Sequence, residues 1–274
     1  MPGRNIAYYQ TILDTYSQAL LSAPVSHIYI AAVHVHSDRS FWLNDDPIEG
    51  PRYQSLWAQW VPRWIASGKR VLLLLGGAGN GTWDTIIKDI DTTPPGTEPV
   101  TVATIRRLVQ TYRLTGVDLD VETYGGSLVD LAIAVIAALR TWIPGITVTM
   151  SPIVGQVADT DTIQGKTGGA LGWANVQIYC DTQLATTYAD LLQSCSHLDS
   201  SHLVAAVDLD PGCCDSQATL CAYANQIFQL ARRYPGFGGT AMWEYYDAFR
   251  NPYAEPWVDC AAQALLQRVC PVCQ

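Results

Sequence analysis

The chain is predicted to be an α/β protein, a single (β/α)8 TIM barrel covering residues 1–274 as one domain. Three observations lead there. Short apolar runs recur eight times, segments with helix-like or loop-like character separate them, and no Pro-, Gly- or Ser-rich linker divides the sequence. Buried parallel strands read as such runs, and eight of them with their crossover helices fill about 250 residues. The predicted strands are 5–9 (NIAYY), 28–33 (IYIAAV), 70–75 (RVLLLL), 116–121 (GVDLDV), 147–151 (TVTMS), 175–179 (NVQIY), 203–207 (LVAAV) and 239–243 (GTAMW). Helices are expected over 11–21, 53–67, 101–112, 127–142, 186–194 and 219–233, with a last one near 258–269. Between the fifth and sixth strands, VGQVADTDTIQGKTGGALGW reads as a polar loop.

Composition narrows the function classes. Hydrophobic residues make up 49% and charged ones 15%, so most of the chain can be ordered around one core. The formal net charge is -9 with no cluster of Lys or Arg, which argues against nucleic acid or an anionic membrane as partner. No run approaches the ~18 apolar residues of a membrane span, and the start, MPGRNIAYYQ, lacks the n- and h-regions of a signal peptide. A soluble protein, or a mature form whose leader has been removed, is expected. All eight cysteines lie from Cys180 onward, and their even number fits disulfides and an extracellular, oxidising compartment. Their pairing stays open at 105 connectivities. Cys270-Pro-Val-Cys273 has zinc or redox spacing, but no second such pair or spaced His pair accompanies it.

The fourth predicted strand carries the chemistry. In TGVDLDVET, Asp118, Asp120 and Glu122 occupy alternate positions, about 6.6 Å apart on one face, while Val117, Leu119 and Val121 take the other. In a barrel this ladder points inward and rises toward the C-terminal end of the strand, where catalytic groups gather. Like charges so close push their pKa values apart, which leaves one group protonated near neutrality as a general acid. A solvated acidic strand would require Val117, Leu119 and Val121 to form a buried face alone. Asp118-Leu119-Asp120 also has the D-x-D form of divalent-cation sites, without any diphosphate cradle beside it.

Thr115-Gly-Val-Asp-Leu-Asp-Val-Glu122 resembles the D-G-x-D-x-D-x-E signature of glycoside hydrolase family 18, the chitinases and endo-β-N-acetylglucosaminidases. Further segments are similar in order: Ile6-Ala-Tyr-Tyr9, Arg70 to Gly77 (RVLLLLGG), Val148-Thr-Met-Ser-Pro152, Asn175-Val-Gln-Ile-Tyr179 and Gly238 to Trp243. The spacing between the seventh and eighth strands leaves no room for the family's α+β insertion, which implies the compact type with an open groove. The resemblance implies a retaining, endo-acting hydrolase of β-1,4-linked N-acetylglucosamine, in chitin or in the chitobiose core of N-glycans. In that family the substrate's own 2-acetamido group is the nucleophile. The implied roles are Glu122 as general acid and base, Asp120 orienting the acetamido nitrogen, Asp118 sharing a proton with Asp120, and Tyr179 holding the acetamido carbonyl. Trp243 would floor the sugar, with Tyr9, Gly77, Met150 and Gln177 as further walls. No cofactor or metal is implied, and the partner would be an N-acetylglucosamine-containing polysaccharide or glycan, bound by a monomer. Two departures stand out: Thr115 replaces the signature's first Asp, at what reads as the base of the ladder, and Leu74 replaces a Ser. Both imply altered electrostatic support for the acids.

Other motifs are weaker. His34-Val-His36 has the H-x-H spacing of barrel metallohydrolases, but the other histidines, His27, His197 and His202, sit at no predicted C-terminal strand end. Gly76 to Asn80 resembles a phosphate turn but lacks the G-x-G-x-x-G spacing. Asn80-Gly-Thr82 is a glycosylation sequon. Against the hydrolase stand two other classes: a glycan-binding lectin on the same scaffold, which would usually lack the acid, and a metal-dependent enzyme using Asp118 and Asp120, which chelators would inhibit.

Overall fold

The computed structural model describes residues 3–78, 81–122 and 124–274. Eight parallel strands form the barrel: β1 (Arg4–Tyr9), β2 (His27–Val35), β3 (Arg70–Gly76), β4 (Gly116–Asp120), β5 (Thr147–Met150), β6 (Leu171–Gln177), β7 (Leu203–Asp208) and β8 (Gly239–Trp243). Each pairs in parallel with the next, and β8 closes the ring on β1 with Ala7 beside Met242. A short antiparallel hairpin, Phe41–Leu43 with Asp46–Pro47, extends β2 through Val33 opposite Leu43.

Among the described residues, ten helices wrap the ring: α1 (Asp14–Ser22), α2 (Val61–Ala66), α3 (Thr82–Thr92), α4 (Val100–Tyr112), α5 (Leu128–Trp142), α6 (Val157–Lys166), α7 (Leu184–Ser194), α8 (Gln217–Arg233), α9 (Asp247–Arg250) and α10 (Trp257–Leu265). Residues 209–238 add only α8 between β7 and β8, so the compact form expected from the spacing holds. Ser127 and Ser216 start α5 and α8 by accepting the backbone N–H of Asp130 and Thr219, each at 3.2 Å.

Strand alternation divides the apolar residues into two layers. Ile6, Tyr8, Tyr29, Leu72, Leu74 and Trp173 fill the barrel interior. Ala7, Tyr9, Leu73, Leu119 and Met150 join the larger layer between barrel and helices. Trp64, fully buried there, fastens α2 to α1 by donating its indole N–H to the Ser17 carbonyl at 2.9 Å.

Three helices were not expected, the four-residue α9 among them. The polar stretch after β5 forms α6 because, beside buried Val157 and Ile163, its inward polar residues have backbone partners. The Gln164 amide exchanges two hydrogen bonds with Leu171, and Asp161 accepts the N–H groups of Ser196, His197 and Leu198. Helix α3 buries Trp83 and Ile86 on one face. The sixth strand begins at Leu171, four residues before the predicted 175, and Tyr179 lies just beyond its end.

Three disulfides, Cys180–Cys213, Cys221–Cys273 and Cys260–Cys270, tie the C-terminal third together. The C-x-x-C pair is therefore split between two bridges, while Cys195 and Cys214 remain thiols. Asn80 of the sequon, Gly79 of the glycine turn and Thr123 lie outside the described residues.

Candidate active site

At the C-terminal end of the barrel opens a pocket of about 420 Å³. Of the residues singled out from sequence, it gathers Asp120, Glu122, Gly77, Gln177, Tyr179 and Trp243. Asp118 lies beneath it, fully buried. The alternation that lifts β4's acids inward also sends Val117, Leu119 and Val121 into the helix-facing layer.

Asp118 sits in a polar socket. One carboxylate oxygen accepts the Thr149 hydroxyl and the Asn175 amide (3.3 Å), and the other accepts the Ser151 hydroxyl at 2.5 Å. Tyr8 continues the chain, 2.6 Å from Ser151. All these donors stand on β5, β6 and β1; toward β3, the residue paired with Asp118 is Leu74. The Leu74 departure therefore puts a methyl-bearing side chain in the barrel interior where a hydroxyl would offer one more donor. Burial pushes Asp118 up to about 6, against the pull of the Ser151, Thr149 and Asn175 hydrogen bonds.

Asp120, one step higher, is also buried. Desolvation, followed by the charges of Glu122 and Asp118, raises its pKa well above the ordinary carboxylate value. The Gln177 amide opposes the rise by donating to Asp120 at 3.2 Å. The second hydrogen of that amide goes to the Ser151 carbonyl at 2.8 Å, so Gln177 is held from both sides. The carbonyl of Asp120 is fixed as well, accepting the Gly77 N–H and the Trp83 indole, each at 3.0 Å. Trp243 lies 5.6 Å from Tyr8, ring centre to ring centre, and Tyr179 half emerges from the interior beside it.

Two expected walls are elsewhere. Tyr9 faces α1 and α2, where its hydroxyl bonds Ser17 at 2.8 Å and the Leu13 carbonyl at 2.7 Å. Met150 is paired with outward-facing Leu119 and is buried under the helices. The reason is parity: Ile6 and Tyr8 point inward on β1, and Thr149 and Ser151 do so at β5, so their neighbours point out. Thr115 is a third correction. It lies on the outward parity of β4, and its hydroxyl donates to the Val71 carbonyl at 3.0 Å, so it is not the base of the inward ladder.

Residues missed from sequence complete the pocket: Gln10, Ala32 and Asp208. Asp208 ends β7 with the same placement rule that picked out β4, and that signal was available. Burial, with Asp210 and Asp247 nearby, raises its pKa. His34 lines the pocket, whereas His36 stacks on Trp42 of the hairpin at 4.7 Å. Among the described residues, the pair joins no group of three metal-ligating side chains; both such groups contain disulfide-bonded cysteines.

A stability consequence follows from the socket. Because Asp118 holds its proton more tightly folded than unfolded, its contribution is fully present below about pH 4 and is lost as pH rises through about 6. The shift amounts to about 3 kcal/mol. Asp120, Asp208, Glu244 and Asp247 are raised too and act with the same sign. Melting curves are expected to show a lower Tm at about pH 7.5 than at about pH 5. Asp118→Asn should flatten that slope, and an unchanged slope would contradict the assignment.

No protein-family model matches the sequence, and no curated protein does. Solved structures do. A fungal endo-β-N-acetylglucosaminidase from glycosyl hydrolase family 18 superposes with a TM-score of 0.78 at 22% identity, over 97% of this chain and 98% of its own. The fold is that of glycoside hydrolase family 18. A chitinase from Aspergillus fumigatus matches this barrel with a TM-score of 0.74 at 25% identity, covering 89% of this chain and 92% of that one. A plant class V chitinase mutant from Cycas revoluta, in complex with (GlcNAc)3, gives 0.68 at 12% identity over 96% and 99%.

Proposed function

We propose that the chain is a working family 18 enzyme: a retaining, endo-acting glycoside hydrolase of β-1,4-linked N-acetylglucosamine in chitin or N-glycan cores. The observation that carries this reading is the convergence of Asp120 and Glu122 on one pocket, with Asp120 buried and accepting the Gln177 amide at 3.2 Å. A raised, buried carboxyl holds its proton more tightly than a solvated one, and a cation developing beside it favours its ionised form. Family resemblance and the fold supply the substrate class.

In this scheme Glu122 protonates the glycosidic oxygen as the leaving group departs. The substrate's acetamido carbonyl attacks the anomeric carbon, and Asp120 takes the acetamido N–H, stabilising the cationic oxazolinium that forms. Asp118 tunes Asp120 from below through its charge. Tyr179 holds the acetamido carbonyl in line, Gln177 sets the Asp120 carboxylate, and Trp243 stacks under the sugar. Glu122 then takes a proton from water, which opens the oxazolinium with net retention. Tyr9 and Met150 have no part in it, since both face the helices. We take residues 1–274 as one catalytic unit acting as a monomer and needing no metal or cofactor. The three disulfides support an extracellular setting.

The test is a parallel assay on a chito-oligosaccharide and a high-mannose glycoprotein, with and without EDTA, following the fresh product by proton NMR. Cleavage of either, insensitive to EDTA and giving the β-anomer first, is the expected result. Binding without cleavage of either substrate would establish the lectin instead, and inhibition by EDTA would favour the metal-dependent class.

A further inference from the structure

The opposite end of the barrel has the reverse electrostatic character. Strands β1 and β3 both begin with arginine, Arg4 and Arg70, and the register places His27 of β2 between Ile6 on one side and Arg70 on the other. A cavity of about 530 Å³ opens there, bordered by both arginines, Ser26, His27 and Gly238. Arg4 reaches across the barrel floor with its guanidinium 4.0 Å above the Trp173 ring. Its Nη1 donates to the carbonyls of Ser201 (3.0 Å) and Gly238 (3.2 Å).

What the cavity lacks is negative charge. Among the described residues neither Arg4 nor Arg70 ion-pairs with a carboxylate, although the chain carries 25 acids against 16 Lys and Arg. Arg4 is held partly out of water, and a desolvated cation without a counter-ion is costly. His27 is 6% exposed, its Nδ1 lies 2.8 Å from the Ser26 hydroxyl, and its Nε2 has no hydrogen-bond partner. Burial and then the two arginines drive its pKa down to about 3, so the ring is neutral and the positive charge at this end comes from the two arginines.

We propose that this end of the barrel is a binding site for an oxyanion, a phosphate, sulfate or carboxylate group, held by Arg4 and Arg70 above the His27 and Trp173 rings. A guanidinium presents donors in a planar fork that matches two oxygens of such a group. With the carbonyl contacts using only Nη1, Arg4 keeps Nε and Nη2 for that purpose. The anion supplies the counter-charge that the chain leaves out. It binds at the far end from the acidic pocket, so the inference stands apart from the glycosidase reading.

Inorganic phosphate, sulfate and acetate, each titrated against the intact protein at ionic strength matched with sodium chloride, test this. Any anion that binds only the folded state raises Tm by mass action. At ten times the Kd the expected rise is about 3 °C. Arg70→Gln, at an exposed strand start, is expected to fold normally and to weaken the response at least tenfold in anion concentration. A response to phosphate and sulfate alone would identify a tetrahedral group, and an equal response to acetate a carboxylate. If none of the three exceeds chloride, or if Arg70→Gln keeps the full response, the proposal is wrong.

Discussion

Glu122→Gln is expected to lower kcat on an N-acetylated chito-oligosaccharide by about a thousandfold while changing KM by no more than a few fold. The amide keeps the size of the side chain and its capacity to form hydrogen bonds, but it cannot serve as an acid. Glu122 lines the pocket one step above Asp120, where a leaving-group oxygen can reach it. A substrate with a nitrophenolate leaving group, which departs without protonation, should recover much of the lost rate. That recovery separates a proton donor from a residue that merely positions the sugar. Activity close to the parent on both substrates would remove Glu122 from the scheme and turn attention to Asp208, the other carboxylate at the pocket wall that its sequence context did not single out.

The second large effect is structural. Gly76 has φ +101°, and a Cβ there would lie 2.1 Å from the carbonyl oxygen of Asp120 and 2.6 Å from the Trp83 indole nitrogen. Both neighbours are fixed, since that carbonyl already accepts the Gly77 N–H and the indole N–H. Gly76→Ala is expected to destabilise by about 3 kcal/mol or more, a fall in Tm of about 6 to 12 °C, and to displace the Asp120 backbone as well. Gly81→Ala is the control: nothing lies within 4 Å of its Cβ position. It should stay within about 0.5 kcal/mol of the parent. A Gly76→Ala protein with parental Tm and activity would show that the β3 and β4 ends are not packed as described.

The strands were legible because buried parallel strands leave uninterrupted apolar runs. Strand β4 was legible because acids at alternate positions in such a run must share one face, and the apolar residues between them need burial on the other. Which face a residue takes was harder. At Tyr8-Tyr9 and at Thr149-Met150-Ser151, residue type favours neither parity; only the pairing of Leu119 with Met150, and of Ala7 with Met242, fixes it. The same parity moved Thr115 off the ladder. Helix α6 was hidden because Asp161 and Gln164 satisfy backbone groups outside the helix, at 196–198 and at Leu171, a partnership that local polarity cannot reveal. Helix α3 was there to be read: Trp83, Ile86, Ile87 and Ile90 have helical spacing, masked by the glycines before it and the prolines after it.

The socket around Asp118 has one more property. Tyr8, Ser151 and Asp118 form a file of oxygens, and between Tyr8 and Ser151 either oxygen can be the donor. With Asp118 ionised, both hydrogens of the file point down toward the carboxylate. Once Asp118 is protonated, its own hydrogen can point up and the two hydroxyls can turn over in sequence, each by rotation about one C–O bond. The floor of the pocket can thus gain or lose one proton at Asp118 while only hydroxyl orientations adjust, leaving the surrounding carbon, nitrogen and oxygen framework in place.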